Sequence, residues 1–385
     1  MYHLIFIILL FSTYAFFSKP NKIIDFFIFL LLLLFVIFRY GQGSDYFNYI
    51  YLFNSTADEF ETALTYKDLN FITNEIGFSS ISYIWMKILK FTPESLTIVY
   101  SAISFILVWL FIKKYSSRPI ISLFIFYCTF YLIYPFSGIR QGICISIFIY
   151  YLIPLLYKKK YLHYYLLSFL LFTIHFSSVI LFIIPVVNMV NRYKPRQIYT
   201  IAFIALGVGI VLNQVLFSFF STLDIIGGKV DAYTQKNTLD FMSLILRILL
   251  IIPIMLTYKV YERNSIRDLF LKIYILGFLL YLIFMSSSLI SSRINVFMRY
   301  FEIILLVDSL LYVFKDLHIK MLNLTYIVAI MTVLYVKNIN SFIDQGPYYD
   351  NVYFYNYPYV SVFNKRKIIE TRYIPPFFQK YVIYD

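Results

Sequence analysis

Apolar segments that approach the thickness of a bilayer succeed one another along almost the whole chain, with short polar connections between them. A helix that crosses hydrocarbon needs roughly 20 apolar residues, fewer where the bilayer is thinned or the packing is tight. Twelve spans are expected on this basis, at about 1–17, 23–38, 95–112, 119–138, 142–157, 161–174, 176–190, 198–220, 241–258, 268–289, 294–314 and 320–336. With 61% apolar residues, 14% charged ones and a mean hydropathy of +0.76, a set of soluble domains is excluded. The expected fold class is all-α, a polytopic transmembrane helical protein.

The net charge of +13 does not point to nucleic acid, because Lys and Arg lie in small clusters between apolar runs. They occupy alternate connections: Lys19 and Lys22; Lys113, Lys114 and Arg118; Lys158, Lys159 and Lys160; Arg192, Lys194 and Arg196; Lys259, Arg263 and Arg267; Lys315 and Lys320. These six connections hold 16 of the 33 basic residues, so they are expected on the cytoplasmic side, with both termini outside. Residues 1–17 lack a basic start and a small-residue cleavage site and are expected to be retained as a span. Segment 76–89 would invert everything after it as a full crossing, so it is read as a re-entrant or interfacial helix. Segment 162–190, basic at both ends, has to fold back near His175, which leaves two short halves.

The large connections, 39–75, 221–240 and 337–385, then fall outside. The expected organisation is a transmembrane domain over 1–336 with an outer loop at 39–75, followed by an extracytoplasmic aromatic-rich tail over 337–385. Six tyrosines fall within YYDNVYFYNYPY of that tail. The short cytoplasmic connections leave little room for a nucleotide-binding domain, and neither GxxxxGK[ST] nor GxGxxG occurs. Cys128 and Cys144 both sit in apolar segments as ordinary packing residues, which suggests neither a disulfide nor a metal. No cofactor is expected.

Polar residues interrupt the apolar pattern at one membrane face. Arg39 follows the second span in RYGQGSDYFNYIYLF; Arg140 and Gln141 sit at an outer turn in YPFSGIRQGICISIF; His175 lies at the apex of the fold-back in TIHFSSVILF; Arg293 and Arg299 open a span in SSRINVFMRYFEI. Each also has a plainer reading. Arg140 alone fits an interfacial anchor; Gln141 fits a helix-to-helix hydrogen bond; His175 fits a packed core histidine; Asp45 fits a turn or helix cap. Arg293 and Arg299, six residues apart, do not share one helix face. Taken together they would form a cationic pocket at headgroup depth. Arginine binds phosphate with a planar fork and stays charged in poor solvent, and a carboxylate or imidazole can take a proton from an attacking hydroxyl. No DxD or DDxxD pattern is present, so metal-independent chemistry is expected.

The succession RYGQGSDYFNYIYLF, EIGFSSISYIWMKI, GIRQGICISIFIY, IHFSSVILFIIP and RINVFMRYF, in this order, resembles the EpsG family of Wzy-like bacterial polysaccharide polymerases. The resemblance implies a GT-C-like helical architecture and an O-antigen-type polymerase of the bacterial inner membrane with its active site facing the periplasm. Its substrate would be undecaprenyl-pyrophosphate-linked oligosaccharide, with a chain-length regulator (Wzz-like) as partner and membrane lipid around it. The resemblance carries over Asp45, Glu75, Arg140, Gln141, His175 and Arg293; His175, Asp45 and Glu75 are the catalytic candidates, and Arg39, Arg140, Gln141, Arg293 and Arg299 the substrate-binding candidates. The bulky Ile143 and Cys144 after IRQ depart from the small residue expected there. A lipid-linked oligosaccharide flippase, a membrane acyltransferase acting on surface glycan and a side-branch sugar transferase are the rival readings.

Overall fold

The computed structural model describes residues 1–189, 195–211, 241–285, 287–313, 316–345 and 348–379. Arg192, Lys194, Lys315, the connection 221–240 and the later part of span 198–220 lie outside the described residues. The named elements are all helical, and two isolated bridges, Arg39 with Ser361 and Tyr348 with Arg372, are the extended pairings among the described residues. The chain forms two compact units, one of residues 1–178 and 331–385, the other of 179–330.

The first unit opens with α1 (Tyr2–Ala15) and α2 (Lys22–Ile37), the latter started by Asn21, whose side chain accepts from the Ile23 and Ile24 amides at 3.0 and 3.3 Å. The stretch expected as an outer loop holds a 21-residue helix, α3 (Tyr46–Tyr66). Its sequence explains this: Tyr46, Tyr49, Ile50, Phe53 and Ala57 recur at helical spacing and are buried, whereas Asp58, Glu59 and Glu61 point outward. α4 (Ile76–Tyr83), extended by a wider turn to Ile88, is too short to cross as a full span.

α5 (Pro93–Tyr115) has a Thr92 cap and Pro93 at its first position, and Lys113 and Lys114 complement its last turn. α6 (Pro119–Tyr131) stops seven residues before the expected end of its span, since Pro135 and Gly138 do not continue a helix. α7 (Ile139–Tyr157) begins at once after that turn; its backbone widens over Phe148–Leu152, next to Pro154, which has no amide to donate. α8 (Tyr161–Ile174) ends at His175. After it, the expected span 176–190 consists of tighter 3₁₀ turns, Phe176–Phe182 and Ile184–Asn188, the second containing Pro185.

Within this unit two of the basic connections meet. The Arg118 guanidinium donates to the Phe17 and Ser18 carbonyls at 2.8 and 3.0 Å, joining the connections that follow α1 and α5. Arg39 follows the C-terminus of α2, Arg140 lies in the first turn of α7, and His175 follows the C-terminus of α8.

The second unit contains α9 (Pro195–Val211), α10 (Phe241–Leu256), α11 (Ile266–Ile283), α12 (Ser288–Arg299) and α13 (Glu302–Asp308). The span expected at 294–314 is therefore interrupted at Tyr300 and Phe301, where Arg299 pairs with Glu302 across the break. α11 and α12 approach closely: a Cβ on Gly277 would lie 2.6 Å from Met298 Cβ. Asp308, fully buried, accepts from Arg267 at 2.8 Å and Tyr261 at 2.7 Å. α14 (Leu317–Gln345) runs nine residues past the expected end of the last span.

Among the described residues, four helices are long and apolar enough to cross a membrane: Pro93–Tyr115, Ile139–Tyr157, Phe241–Lys259 and Leu317–Asp344. The apolar helices Tyr2–Ala15, Pro119–Tyr131, Tyr161–Ile174, Phe176–Asn188 and Arg196–Gly209 are shorter. The protein is thus an all-helical membrane protein.

Candidate functional site

Glu75 stands at the cap of α4 and presents its carboxylate to two partners. Oε2 accepts from an Arg140 terminal nitrogen at 3.0 Å, and Oε1 accepts from the Phe176 amide at 3.2 Å. Three segments up to 101 residues apart in sequence, ExGF, IRQ and IHFSS, therefore meet in one hydrogen-bonded cluster. The ion pair is largely buried, with side-chain exposures of 16% and 14%. The Arg140 guanidinium also lies over the Phe78 ring at 4.6 Å and near Tyr49 at 5.7 Å. Gly77 is what lets α4 lie against α8: a Cβ there would stand 2.8 Å from the Thr173 carbonyl oxygen, two residues before His175.

The turn between α6 and α7 links this cluster to Asp45. The Ser137 hydroxyl donates to Asp45 Oδ2 at 3.3 Å and is 2.8 Å from the Ser44 hydroxyl. Two residues earlier, the Pro135 carbonyl accepts from Arg39 at 3.3 Å. The other terminal nitrogen of Arg39 donates to Ser101 at 3.0 Å, and the guanidinium sits over Phe136 at 5.0 Å. Burial pulls Arg39 below its ordinary value and pushes the Tyr46 and Tyr49 hydroxyls up, with Arg39 and Arg140 respectively opposing the latter two. Gln141 is buried one residue beyond Arg140.

The first unit thus brings together Asp45, Glu75, Arg140, Gln141, His175 and Arg39 around one end of its helices. Arg293 and Arg299 belong to the second unit. There Arg299 grips Glu302 with two nitrogens, at 2.9 and 3.1 Å, and Arg293 is half-buried on the same helix. Arg247, absent from the candidates read from sequence, stacks on the Tyr281 ring at 3.7 Å and lines a narrow cleft with Tyr274, Asn295, Arg299 and Glu302. Its signal was legible as a single cation inside FMSLILRILLIIPIML.

A second residue escaped the sequence reading. Arg372, in the tail, is 3% exposed and donates to the carbonyls of Gly41 and Gly43 at 2.6 and 3.2 Å. Nothing but an arginine among apolar neighbours in TRYIPPF marked it.

Chemically, the first unit offers a guanidinium oriented by a carboxylate, with a second carboxylate and an imidazole among the residues of the same end. That set can bind an anion and move a proton. Among the described residues, no group of three or more His, Cys, Asp or Glu gathers as a metal site would require.

No curated protein and no solved structure matches the chain. A sequence model of the EpsG family matches residues 22–361, a stretch that includes Asp45, Glu75, Arg140, His175, Arg293 and their motifs. The chain belongs to the EpsG family, whose members are Wzy-like polysaccharide polymerases.

Proposed function

We propose that this protein joins undecaprenyl-pyrophosphate-linked oligosaccharide repeat units into a surface polysaccharide of the O-antigen type, at the periplasmic face of the bacterial inner membrane. The acceptor hydroxyl attacks the anomeric carbon of the donor chain, the bond from that carbon to the diphosphate breaks, and undecaprenyl pyrophosphate leaves. Arg140 binds the diphosphate and stabilises the charge that grows on it. Asp45 takes the proton of the acceptor hydroxyl, with His175 as the alternative base.

The observation that carries this reading is the Glu75–Arg140–Phe176 cluster, which gathers three family motifs around one guanidinium. Glu75 has both oxygens engaged, which suits it to orienting Arg140. Arg39 and Gln141 support the turn that carries Arg140, and Arg293 and Arg299 remain substrate-binding cations of the second unit in this proposal. The alternation of basic connections along the sequence supports an outward-facing reaction, and twelve crossings in a GT-C-like arrangement belong to the same proposal.

Arg140→Ala, at unchanged protein level, should leave cells with single repeat units in place of a ladder of chain lengths on a lipopolysaccharide gel. A normal ladder would remove Arg140 from the mechanism. Translocation of repeat units without chain growth in reconstituted liposomes would favour a flippase.

A further inference from the structure

The family match ends at residue 361, but the chain beyond it folds back onto the loop that carries Asp45. Tyr40 donates its amide to Val360 at 2.9 Å, and Val362 donates to Phe38 at 2.9 Å, so the tail first pairs with the end of α2. The short helix α15 (Lys367–Thr371) then sets Ile368 beneath Gly41, in a cluster with Tyr40, Tyr46, Phe47, Ile50, Val360 and Ile374. Arg372 follows directly. Its guanidinium is held between the rings of Phe47 and Tyr348, at 5.3 and 5.4 Å, and reaches the carbonyls of Gly41 and Gly43 with one nitrogen.

Those two glycines have φ of +64° and +89°, a left-handed backbone that turns their carbonyls toward Arg372 and that other residues adopt at a cost. On its other side, Gly43 lies against the turn that precedes Arg140: a Cβ there would stand 3.0 Å from the Phe136 carbonyl oxygen. The loop is therefore held between the tail's guanidinium and the Phe136–Ser137 backbone, and Asp45 is two residues further on, accepting from that same Ser137. A guanidinium serving two neutral carbonyls, with no carboxylate assigned to it among the described residues, costs desolvation that a surface lysine would avoid. The expense buys a fixed loop.

We propose that Arg372 is a positioning residue: the tail beyond the family-matched region clamps the Gly41–Gly43 loop and so sets Asp45 against the Ser137–Arg140 turn. The proposal rests on the assignment of Asp45 as the base, and the clamp can be read without that assignment. The experiment uses the full-length protein in nanodiscs, with Arg372→Gln, Arg372→Lys, Asp45→Asn and the Arg372→Gln/Asp45→Asn pair. Hydrogen exchange of peptides covering 40–48 and turnover of a synthetic lipid-diphosphate repeat unit are measured together.

In Arg372→Gln the exchange of 40–48 should rise at least tenfold, while peptides from α5 keep wild-type rates. Its kcat should fall at least tenfold, with KM within twofold. Arg372→Lys, which keeps a charged donor, should recover part of both, and the double variant should turn over no more slowly than Asp45→Asn. Unchanged exchange in Arg372→Gln would overturn the clamp. Faster exchange with wild-type kcat, or a double variant slower than Asp45→Asn by the full effect of Arg372→Gln, would overturn its action through Asp45. If wild-type protein elongates nothing, the polymerase reading fails, and the exchange arm still decides the clamp. If Arg372→Gln does not fold, the lysine variant carries the same exchange and kcat comparison: wild-type values in both would overturn the proposal.

Discussion

The Glu75–Arg140 pair makes a quantitative prediction about division of labour. In the proposed mechanism Arg140→Ala removes a fixed donor from the charge that grows on the departing diphosphate; such donors contribute about 2.7–4 kcal/mol, so turnover should fall about 10²–10³-fold. Glu75→Gln keeps an acceptor for the Phe176 amide at the same length of side chain, and converts a charge-assisted bond to Arg140 at 3.0 Å into a neutral one. The difference between those two kinds of hydrogen bond is about 1 kcal/mol, or roughly fivefold in rate. If Glu75 acts only by orienting Arg140, the double variant has nothing further to lose and should match Arg140→Ala. Independent roles would instead multiply to about 500–5,000-fold. The assay is the rate of ladder growth from a synthetic lipid-diphosphate repeat unit in proteoliposomes, normalised to protein. Because removing one partner of a buried pair can cost about 3–5 kcal/mol of stability, each variant is also melted in detergent, and rates are read below the lowest transition. A double variant fivefold or more slower than Arg140→Ala, or Glu75→Gln alone slower than wild type by 10² or more, would refute the orienting role and return Glu75 to the chemistry.

Further outcomes follow from the same geometry. Gly77→Ala should push α4 from α8 at Thr173, lowering the melting transition by about 1–3 kcal/mol and turnover with it, whereas Gly207→Ala, with nothing within 4 Å of its added methyl, should leave the transition unchanged or raised in the same melt. Asp45→Asn should shorten the chains made in cells at normal protein level, with a slow residual turnover, and His175→Gln should keep wild-type chain lengths; the reverse pattern would transfer the base role to His175. Ladder growth by purified protein should continue in EDTA, and its arrest, with recovery on adding back a divalent ion, would make the reaction metal-dependent.

Much of this was legible in the sequence because it depends on period and on charge. Most of the apolar segments among the described residues appear as helices nearly where expected, Arg140 could be singled out as a charge between apolar segments, and Asp45 and Glu75 through the family motifs. What escaped depends on contacts between distant residues. Segment 39–75 reads as a loop from sequence because its acidic face hides the stripe of Tyr46, Tyr49, Ile50 and Phe53 that the fold buries. The break of 294–314 reflects a forked Arg299–Glu302 pair that no hydropathy window registers. Apolarity alone makes 176–190 look like a span, while Pro185 and the Ser177–Ser178 pair favour tighter turns. Arg372 was invisible for a different reason: its importance lies in two carbonyls that any residues at 41 and 43 would possess, and only the fold aims them at it.

The order in which the polypeptide is made gives the clasp around Gly41 a temporal meaning. Its two halves are separated by 331 positions, so at about 5–20 residues per second a ribosome reaches the second half roughly 15–70 s after the first. Throughout that interval every apolar helix can be threaded into lipid while the segment bearing Asp45 is still unlatched. Fixing of the Asp45 loop is thereby coupled to translation of the segment around Arg372, and a nascent chain stalled before it would hold Arg140 and Glu75 in place while Asp45 stays unfixed.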